Sequence, residues 1–211
     1  PLTLWAEKRN ELPNEFKGNE ATAWGHLLEE PIAKRFAEVT GLAVIRYPVV
    51  LQHPHCSWML ANVDYFVSDD AETWTLGEIN DWVNCDGHLL DNVTHILEIK
   101  TAGIASRGNA KAWDYDSVPE SYYWQGAHYA NVTGVKDVYF AALVAGEGLV
   151  IRERHYGDSE LLDLQMAEAD FWQDVQSGTP PETVGTDDEA ETIKALYPVD
   201  ANDSFVEADD F

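Results

Sequence analysis

The chain has 211 residues, of which 45% are hydrophobic and eight are Trp, and this suits one folded α/β domain with additions at its periphery. It contains neither an apolar run of about 18 residues nor an apolar leader-like segment, so we expect no transmembrane helix and no signal peptide. The net charge of −25 excludes a general attraction for polyanions, although 16 of the 38 acidic residues and one of the 13 basic residues follow Gly157.

The first half of the chain predicts two helices and a β-hairpin. Apolar residues recur at spacings of four, four and three from Leu28 to Val39, which is the period of a helix. Glycine then ends that helix, and a β-rich segment follows on each side of a His-Pro-His turn. The predicted elements are a short helix within 1–20, a helix over 20–40 that ends at Gly41, and strands over 44–51 and 58–67.

The second half predicts a further strand, a hairpin and two more helices. Pro119 suits the first turn of one helix, and Gly134 suits its end. Residues 69–92 are polar and are predicted to be an insertion. The predicted elements are a strand over His95–Thr101, a helix from about 119 to 132, strands over 137–145 and 149–156, and a helix over 159–176.

This order predicts a mixed β-sheet flanked by helices, within one domain over residues 1–178. After Pro180 and Pro181 the chain is acidic and poor in apolar residues, so residues 179–211 are predicted to be a loosely ordered tail. The two cysteines, Cys56 and Cys85, are too few for a disulfide framework or a four-cysteine iron–sulfur cluster. A reducing cytoplasm is therefore the expected compartment.

The predicted strand His95–Thr101 carries an unusual pair of charges. Glu98 and Lys100 alternate with Leu97 and Ile99, so the two charged side chains share one face of the strand. An exposed pair of this kind contributes little. The surrounding residues are apolar, however, and a carboxylate in such a strand is costly to bury unless a positive group accompanies it.

A divalent cation meets this requirement. Asp64 ends the neighbouring predicted strand, and its carboxylate, that of Glu98 and the carbonyl of Ile99 would give three hard oxygen ligands of the kind Mg²⁺ prefers. The cation would acidify a bound water and neutralise charge on a phosphate. Lys100, on the same face, would reach the attacking water or a phosphate oxygen, which is the division of labour that phosphodiester hydrolysis needs.

Several ordered motifs carry a family resemblance. Asn62-Val63-Asp64 followed by Leu97-Glu98-Ile99-Lys100 resembles the D…ExK core of the PD-(D/E)XK nuclease superfamily. The segments that extend the resemblance are Leu4–Lys8, Trp24–Glu29 (W-G-x-x-x-E), Pro119–Gln125 (P-x-x-Y-x-x-Q) and Gln125–Tyr129 (Q-x-x-x-Y). Together, over roughly residues 2–156, they resemble the YqaJ-type viral recombinases, which are relatives of the phage lambda exonuclease.

The resemblance implies a restriction-endonuclease-like fold and specific residue roles. Asp64, Glu98 and the Ile99 carbonyl would hold Mg²⁺, for which Mn²⁺ can substitute. Glu29 would complete the metal site, with Glu30 as the alternative because the two acids are consecutive. Lys100 would act on the nucleophile, and Gln125 would orient water or phosphate.

The resemblance also implies an activity and partners. It suggests a phage- or prophage-encoded exonuclease that degrades one strand of linear duplex DNA from its 5′ end during recombination. A homotrimer and a single-strand annealing protein as partner would accompany this. Independently of the resemblance, Arg107 and Lys111 follow the Lys100 strand in a glycine-containing loop, where the alternatives are contact with the DNA backbone and a solvated loop. Tyr129 is a further predicted DNA contact. The relatives' N-terminal Arg-Gly and Ser segment would lie before Pro1, and 34 residues separate Asp64 from Glu98 because of the insertion.

Two alternatives remain at this stage. One is an endonuclease of the same superfamily. The other is a catalytically silent binding module whose acidic tail engages a partner protein. A third idea, a zinc site at His53, His55 and Cys56 with distant Cys85, has spacing that does not fit a paired-cysteine site.

Overall fold

The computed structural model describes residues 1–13, 18–69, 93–102, 112–145 and 147–197. These residues belong to two compact units. One unit comprises Gly18–Gln165, and the other comprises Pro1–Lys17 with Met166–Phe211. Among the described residues, no helix is both long enough and apolar enough to cross a bilayer. The predicted insertion lies outside the described residues except for Asp69.

The larger unit is built on a five-stranded mixed sheet. Its strands are β1 (Ala43–Arg46), β4 (Tyr65–Ser68), β5 (His95–Ala102), β6 (Asp137–Val144) and β7 (Gly148–His155), in the spatial order β1-β4-β5-β6-β7. Only β5 and β6 are parallel to each other, and the other neighbours are antiparallel. A separate two-stranded ribbon joins β2 (Leu51–Gln52) to β3 (Leu60–Ala61). The predicted hairpin is therefore confirmed, although each of its strands is divided into two short pieces.

Two helices cover the two faces of this sheet. Helix α2 (Glu20–Thr40) begins at Asn19, whose side chain accepts a hydrogen bond from Thr22 N–H, and it ends at Gly41 in the left-handed conformation. Its Phe36 is fully buried in a core with Leu97 and Ile99 of the sheet. Helix α3 (Glu120–Thr133) covers the opposite face and connects to β6 through Gly134, also left-handed.

Close packing of α3 on the sheet depends on Gly126. A Cβ atom at this position would lie 2.7 Å from Cζ of Phe140 and 2.6 Å from the hydroxyl oxygen of Tyr156. Both distances are shorter than real Cβ contacts, so only glycine lets the helix approach β6 and β7 this closely. This approach brings the next turns of α3 over the middle of β5.

The smaller unit has its own apolar cluster. Helix α1 (Leu2–Lys8), the second half of α4 (Asp158–Ser177) and helix α5 (Asp187–Leu196) contribute to it. The indole N–H of the buried Trp5 donates to the carbonyl of Asp174. Helix α5 lies within the segment that the sequence analysis assigned to an acidic tail, and it starts with a capping box in which Thr186 and Glu189 satisfy each other's backbone N–H groups. The predicted tail beyond residue 197 lies outside the described residues.

Candidate active site

The candidate site lies on β5, on the face that packs against α3. Ile96, two residues before Glu98, belongs to the core between the sheet and α3, whereas Leu97 and Ile99 belong to the core beneath α2. The strand alternation predicted from the sequence is therefore confirmed. It directs Glu98 and Lys100 together toward α3.

Glu98 is the most deeply buried acid of the site, with 2% of its surface exposed. Its Oε1 accepts a hydrogen bond of 2.7 Å from Nζ of Lys100, while Oε2 is buried and has no hydrogen-bond partner among the described residues. Burial raises the pKa of Glu98 to about 7; Lys100 opposes this rise, and the nearby Asp64 and Glu29 increase it. A buried carboxylate oxygen with no partner is energetically costly, so this atom is a position where a cation would be stabilising.

Asp64 lies directly beside this strand. It immediately precedes β4, in which Tyr65 pairs with Leu97, so continuing the antiparallel register sets Asp64 beside Glu98. The backbone N–H of Ile99 donates a hydrogen bond of 2.9 Å to Oδ2 of Asp64. Burial raises the pKa of Asp64, and the hydrogen bond from Ile99 and the charge of Lys100 partly offset that rise.

The same hydrogen bond orients the carbonyl of Ile99. In a β-strand the N–H and C=O groups of one residue point to the same side of the strand. Since the N–H of Ile99 points toward Asp64, its carbonyl oxygen also points to that side. The register therefore sets the carboxylates of Asp64 and Glu98 beside each other, and the carbonyl of Ile99 as a third ligand stays a prediction.

The structure separates the two consecutive acids of α2. Glu29 is partly buried, its Oε1 lies 2.9 Å from Nδ1 of His26, and its charge contributes to the raised pKa values of both Asp64 and Glu98. Glu30 is 64% exposed at its side chain and pairs with Lys34 at 2.6 Å, which lowers its pKa. Of the two acids, Glu29 is therefore the one whose charge acts on Asp64 and Glu98, and its role as a metal ligand stays a prediction.

Lys100 is held by several groups at once. Its Nζ donates to Oε1 of Glu98 and, at 2.8 Å, to Oε1 of Gln125 on α3. It also lies 4.4 Å from the centroid of the Tyr122 ring.

One turn further along α3, the hydroxyl of Tyr129 accepts a hydrogen bond of 3.0 Å from Nε2 of Gln125. Burial, followed by the charge of Glu98, raises the pKa of Tyr129 to about 12, so its hydroxyl stays protonated at neutral pH.

The residues present fit a hard divalent cation. Carboxylate oxygens of Asp64, Glu98 and Glu29 and the carbonyl of Ile99 are the oxygen donors that Mg²⁺ and Mn²⁺ take. The observation that supports the fit is the buried Oε2 of Glu98, to which none of the described residues donates a hydrogen bond. A cation there would offset the cost of desolvating two acids side by side.

A second group of possible metal ligands lies on the other face of the sheet. Atoms of His95, Asp137 and Glu153 lie within 4.8 Å of one another. These side chains already have partners, since Nε2 of His95 lies 3.2 Å from Glu153 and Nδ1 of His155 lies 2.7 Å from Asp137. These side chains therefore have hydrogen-bond partners, whereas Oε2 of Glu98 has none among the described residues.

The remaining predicted site residues divide into two groups. Tyr129, predicted as a DNA contact, lies in the site, where its hydroxyl is hydrogen-bonded to Gln125; contact with DNA stays a prediction. Arg107 and Lys111 lie outside the described residues. No role was predicted from the sequence for Tyr122 or His26, although both lie within the motifs quoted above. Tyr122 precedes Gln125 by three residues, a spacing that places both on one helix face and that was available as a signal.

Comparison with known families gives one clear match. The model of the YqaJ-like viral recombinase domain matches residues 1–136. The uncharacterized protein YqaJ of Bacillus subtilis (strain 168) is 33% identical over 211 residues, which cover 98% of this chain. The chain spans 58% of the length of this curated relative.

Solved structures of two exonucleases have a similar fold. LHK-Exo of Laribacter hongkongensis, an alkaline exonuclease, in complex with dAMP has a TM-score of 0.62 and 14% identity, covering 83% of this chain and 77% of that chain. A phage-related exonuclease from Haemophilus somnus 129PT has a TM-score of 0.54 and 14% identity, covering 84% and 82%. At this identity the likeness concerns the fold, and it confirms the predicted restriction-endonuclease-like architecture.

Proposed function

The chain belongs to the YqaJ-like viral recombinase family, and from this membership and the geometry of the site we propose that it is a metal-dependent deoxyribonuclease. The observation that carries the proposal is the buried carboxylate of Glu98, which is hydrogen-bonded to Lys100 through one oxygen and has no partner for the other within the part of the chain that the structure describes. A structural ion pair would satisfy both oxygens. An acid left half-paired beside a second acid is typical of a site that binds a cation and works on a phosphate.

The residues have separable roles in this reaction. Asp64, Glu98, Glu29 and the carbonyl of Ile99 would hold the cation, which when bound supplies positive charge against the phosphate and acidifies water. Lys100 donates from Nζ toward the attacking water or a phosphate oxygen as negative charge develops. Gln125, whose amide is fixed between Lys100 and Tyr129, orients water or phosphate at the same place.

The cleavage step consumes one water for each phosphodiester bond. The water oxygen attacks phosphorus, and the bond from phosphorus to the leaving sugar oxygen breaks. The attacking water loses one proton to solvent and the leaving sugar oxygen takes up one proton from solvent, so the products are a terminal phosphate and a terminal hydroxyl. Because Lys100 is bound to Glu98 and Gln125 before substrate arrives, it does not need to be ordered during the reaction.

We propose Mg²⁺ as the cation, with Mn²⁺ as a substitute, and linear double-stranded DNA as the substrate. The structural relatives are exonucleases, which supports action at DNA ends. Membership of the viral recombinase family supports digestion of one strand from 5′ to 3′ in phage-type recombination. We also propose that the protein forms a homotrimer, that it works with a single-strand annealing protein, and that it acts in the cytoplasm of a bacterial host.

The acidity of the chain must be reconciled with a DNA substrate. A net charge of −25 repels DNA at long range, so productive contact needs local basic residues or bridging cations. We propose Arg107 and Lys111, and Tyr129 inside the site, as contacts to the DNA. Low affinity and strong dependence on divalent cation concentration are the expected consequences.

End-labelled DNA tests the proposed function. With Mg²⁺, the protein is expected to release label from a 5′-labelled linear duplex at early times, to release 3′ label late, and to leave a covalently closed circle intact. Early release of 3′ label would contradict the polarity, and cutting of the closed circle would show an endonuclease. No hydrolysis of any DNA with Mg²⁺ or Mn²⁺ would contradict the nuclease proposal and favour the silent binding module.

A further inference from the structure

Tyr122 lies over the ammonium group of Lys100. The distance from Nζ to the ring centroid is 4.4 Å, which is well inside the range over which an aromatic face attracts a cation. The contact is part of the site because the same Nζ donates to Glu98 and Gln125. An ammonium group has three N–H donors, and because two of them are used by oxygen atoms, one remains for the attacking water or a phosphate oxygen.

The Tyr122 ring also lies next to a second, buried aromatic ring. The ring of Trp113, which is 1% exposed, lies 6.0 Å from that of Tyr122 at an angle of 34°. Tyr122 is also one turn before Gln125 on α3, so the helix presents the ring and the amide to Lys100 together. The flexible side chain of Lys100 is thereby held by two residues of one helix, Tyr122 and Gln125.

We infer that Tyr122 is a positioning residue for the proposed nuclease reaction, and that it acts through its ring face and not through its hydroxyl group. A lysine side chain carries considerable rotamer freedom, and losing it during the reaction would slow the chemical step. The ring removes that freedom in advance by confining Nζ beside Glu98. The inference rests on the proposed function for its kinetic part, whereas the ring–ammonium contact is independent of activity.

Three substitutions at one position separate ring from hydroxyl. Tyr122→Phe keeps the ring and is expected to retain most of kcat. Tyr122→Leu removes the ring and is expected to lower kcat about tenfold with KM changed less than about twofold, because substrate contacts remain. Tyr122→Met, closer in volume, serves if the leucine variant is unstable, and Tyr197→Leu is the matched control at an exposed tyrosine.

A spectroscopic readout keeps the test separate from nuclease activity. The ring current of Tyr122 is expected to shift the Lys100 ε-methylene signals upfield in NMR spectra of the isotopically labelled protein. This shift should persist in Tyr122→Phe and disappear in Tyr122→Leu, whether or not the protein cleaves DNA.

The outcomes assign the role unambiguously. Unchanged Lys100 signals in Tyr122→Leu would overturn the contact itself. Equal losses of kcat in the phenylalanine and leucine variants would overturn the ring-face role in favour of the hydroxyl, and a change confined to KM would make Tyr122 a DNA contact. A wild-type protein without any nuclease activity, but with the shifted Lys100 signals, would refute the proposed function and leave the ring–ammonium contact established.

Discussion

The carboxylate of Asp64 accepts a hydrogen bond of 2.9 Å from the backbone N–H of Ile99, the residue between Glu98 and Lys100. This bond ties the acid of one strand to the backbone of the next, so the two carboxylates stay adjacent despite the long insertion between them in sequence. The donor is a neutral N–H group, so the hydrogen bond satisfies one oxygen of Asp64 and leaves the negative charge of the carboxylate uncompensated. That charge is therefore available to a cation.

Replacing Asp64 by Asn separates these two contributions. The amide oxygen of the variant still accepts from Ile99, so we expect the midpoint of thermal unfolding to stay within a few degrees of wild type. The negative charge is lost, and the initial rate of DNA cleavage is expected to fall at least about 100-fold. The matched control is Asp163→Asn on the exposed side of α4, which should leave the rate unchanged; equal rates in the two variants would contradict the role of Asp64.

Substitutions at the two neighbouring acids of α2, Glu29 and Glu30, give a second comparison between a site residue and a surface control. Glu29 contributes to the electrostatics of Asp64 and Glu98, whereas Glu30 pairs with Lys34 on the surface. We therefore expect Glu29→Gln to lower kcat/KM strongly, at least about tenfold, and to raise the Mg²⁺ concentration needed for half-maximal activity. Glu30→Gln should do neither, and a larger effect at Glu30 would show that the metal site is built from the other register.

The raised pKa of Glu98 makes stability depend on pH in the absence of metal. With a folded pKa of about 7, the folded state holds its proton to higher pH than an unfolded chain with an ordinary glutamate. The contribution of Glu98 to the free energy of unfolding is therefore greatest at low pH. It falls as pH rises from about 4.5 to about 7 and is constant above that range. Divalent cation should restore stability at high pH, because it binds the ionised form.

This pH dependence can be measured against a variant that cannot titrate. In EDTA, the melting temperature of Glu98→Gln relative to wild type should increase between about pH 5 and pH 8. A difference in melting temperature between the two proteins that stays constant from about pH 5 to pH 8 would mean that Glu98 ionises in the folded state at an ordinary pKa.

Two glycines are expected to respond in opposite ways to alanine. At Gly126 a Cβ would collide with Phe140 and Tyr156, so Gly126→Ala should destabilise the protein by about 1–3 kcal/mol. At Gly25, inside α2, a Cβ meets nothing within 4 Å, so Gly25→Ala should stabilise it by roughly 0.5–1 kcal/mol. Urea denaturation of both variants tests this, and a neutral Gly126→Ala would show that α3 is not packed as closely as described.

Local pattern was sufficient to predict most elements and the strand face that Glu98 and Lys100 share. Strand β5 was predicted as His95–Thr101 and is observed as His95–Ala102, because alternation and β-branched content are properties of neighbouring residues. The same alternation set Glu98 and Lys100 on one face. Helix α2 was predicted with both its ends, since its periodicity and closing glycine are also local signals.

Contacts between distant segments could not be predicted in this way. That Gln125 and Tyr122 meet Lys100 depends on α3 crossing over the sheet between the parallel strands β5 and β6, which no local pattern specifies. The choice between Glu29 and Glu30 likewise depended on how α2 is rotated against the sheet. Helix α5 was missed because its composition is acidic, although Thr186 and Glu189 form a capping box that the sequence contains.

The most direct test of the central claim is the cleavage of linear duplex DNA by wild-type protein and Glu98→Gln, each with Mg²⁺ and with EDTA. We predict hydrolysis by wild type with Mg²⁺, none in EDTA, and a rate for folded Glu98→Gln at least about 100-fold lower. Cleavage by wild type that continues in EDTA, or equal rates for the two proteins in Mg²⁺, would contradict a metal-dependent nuclease centred on Glu98.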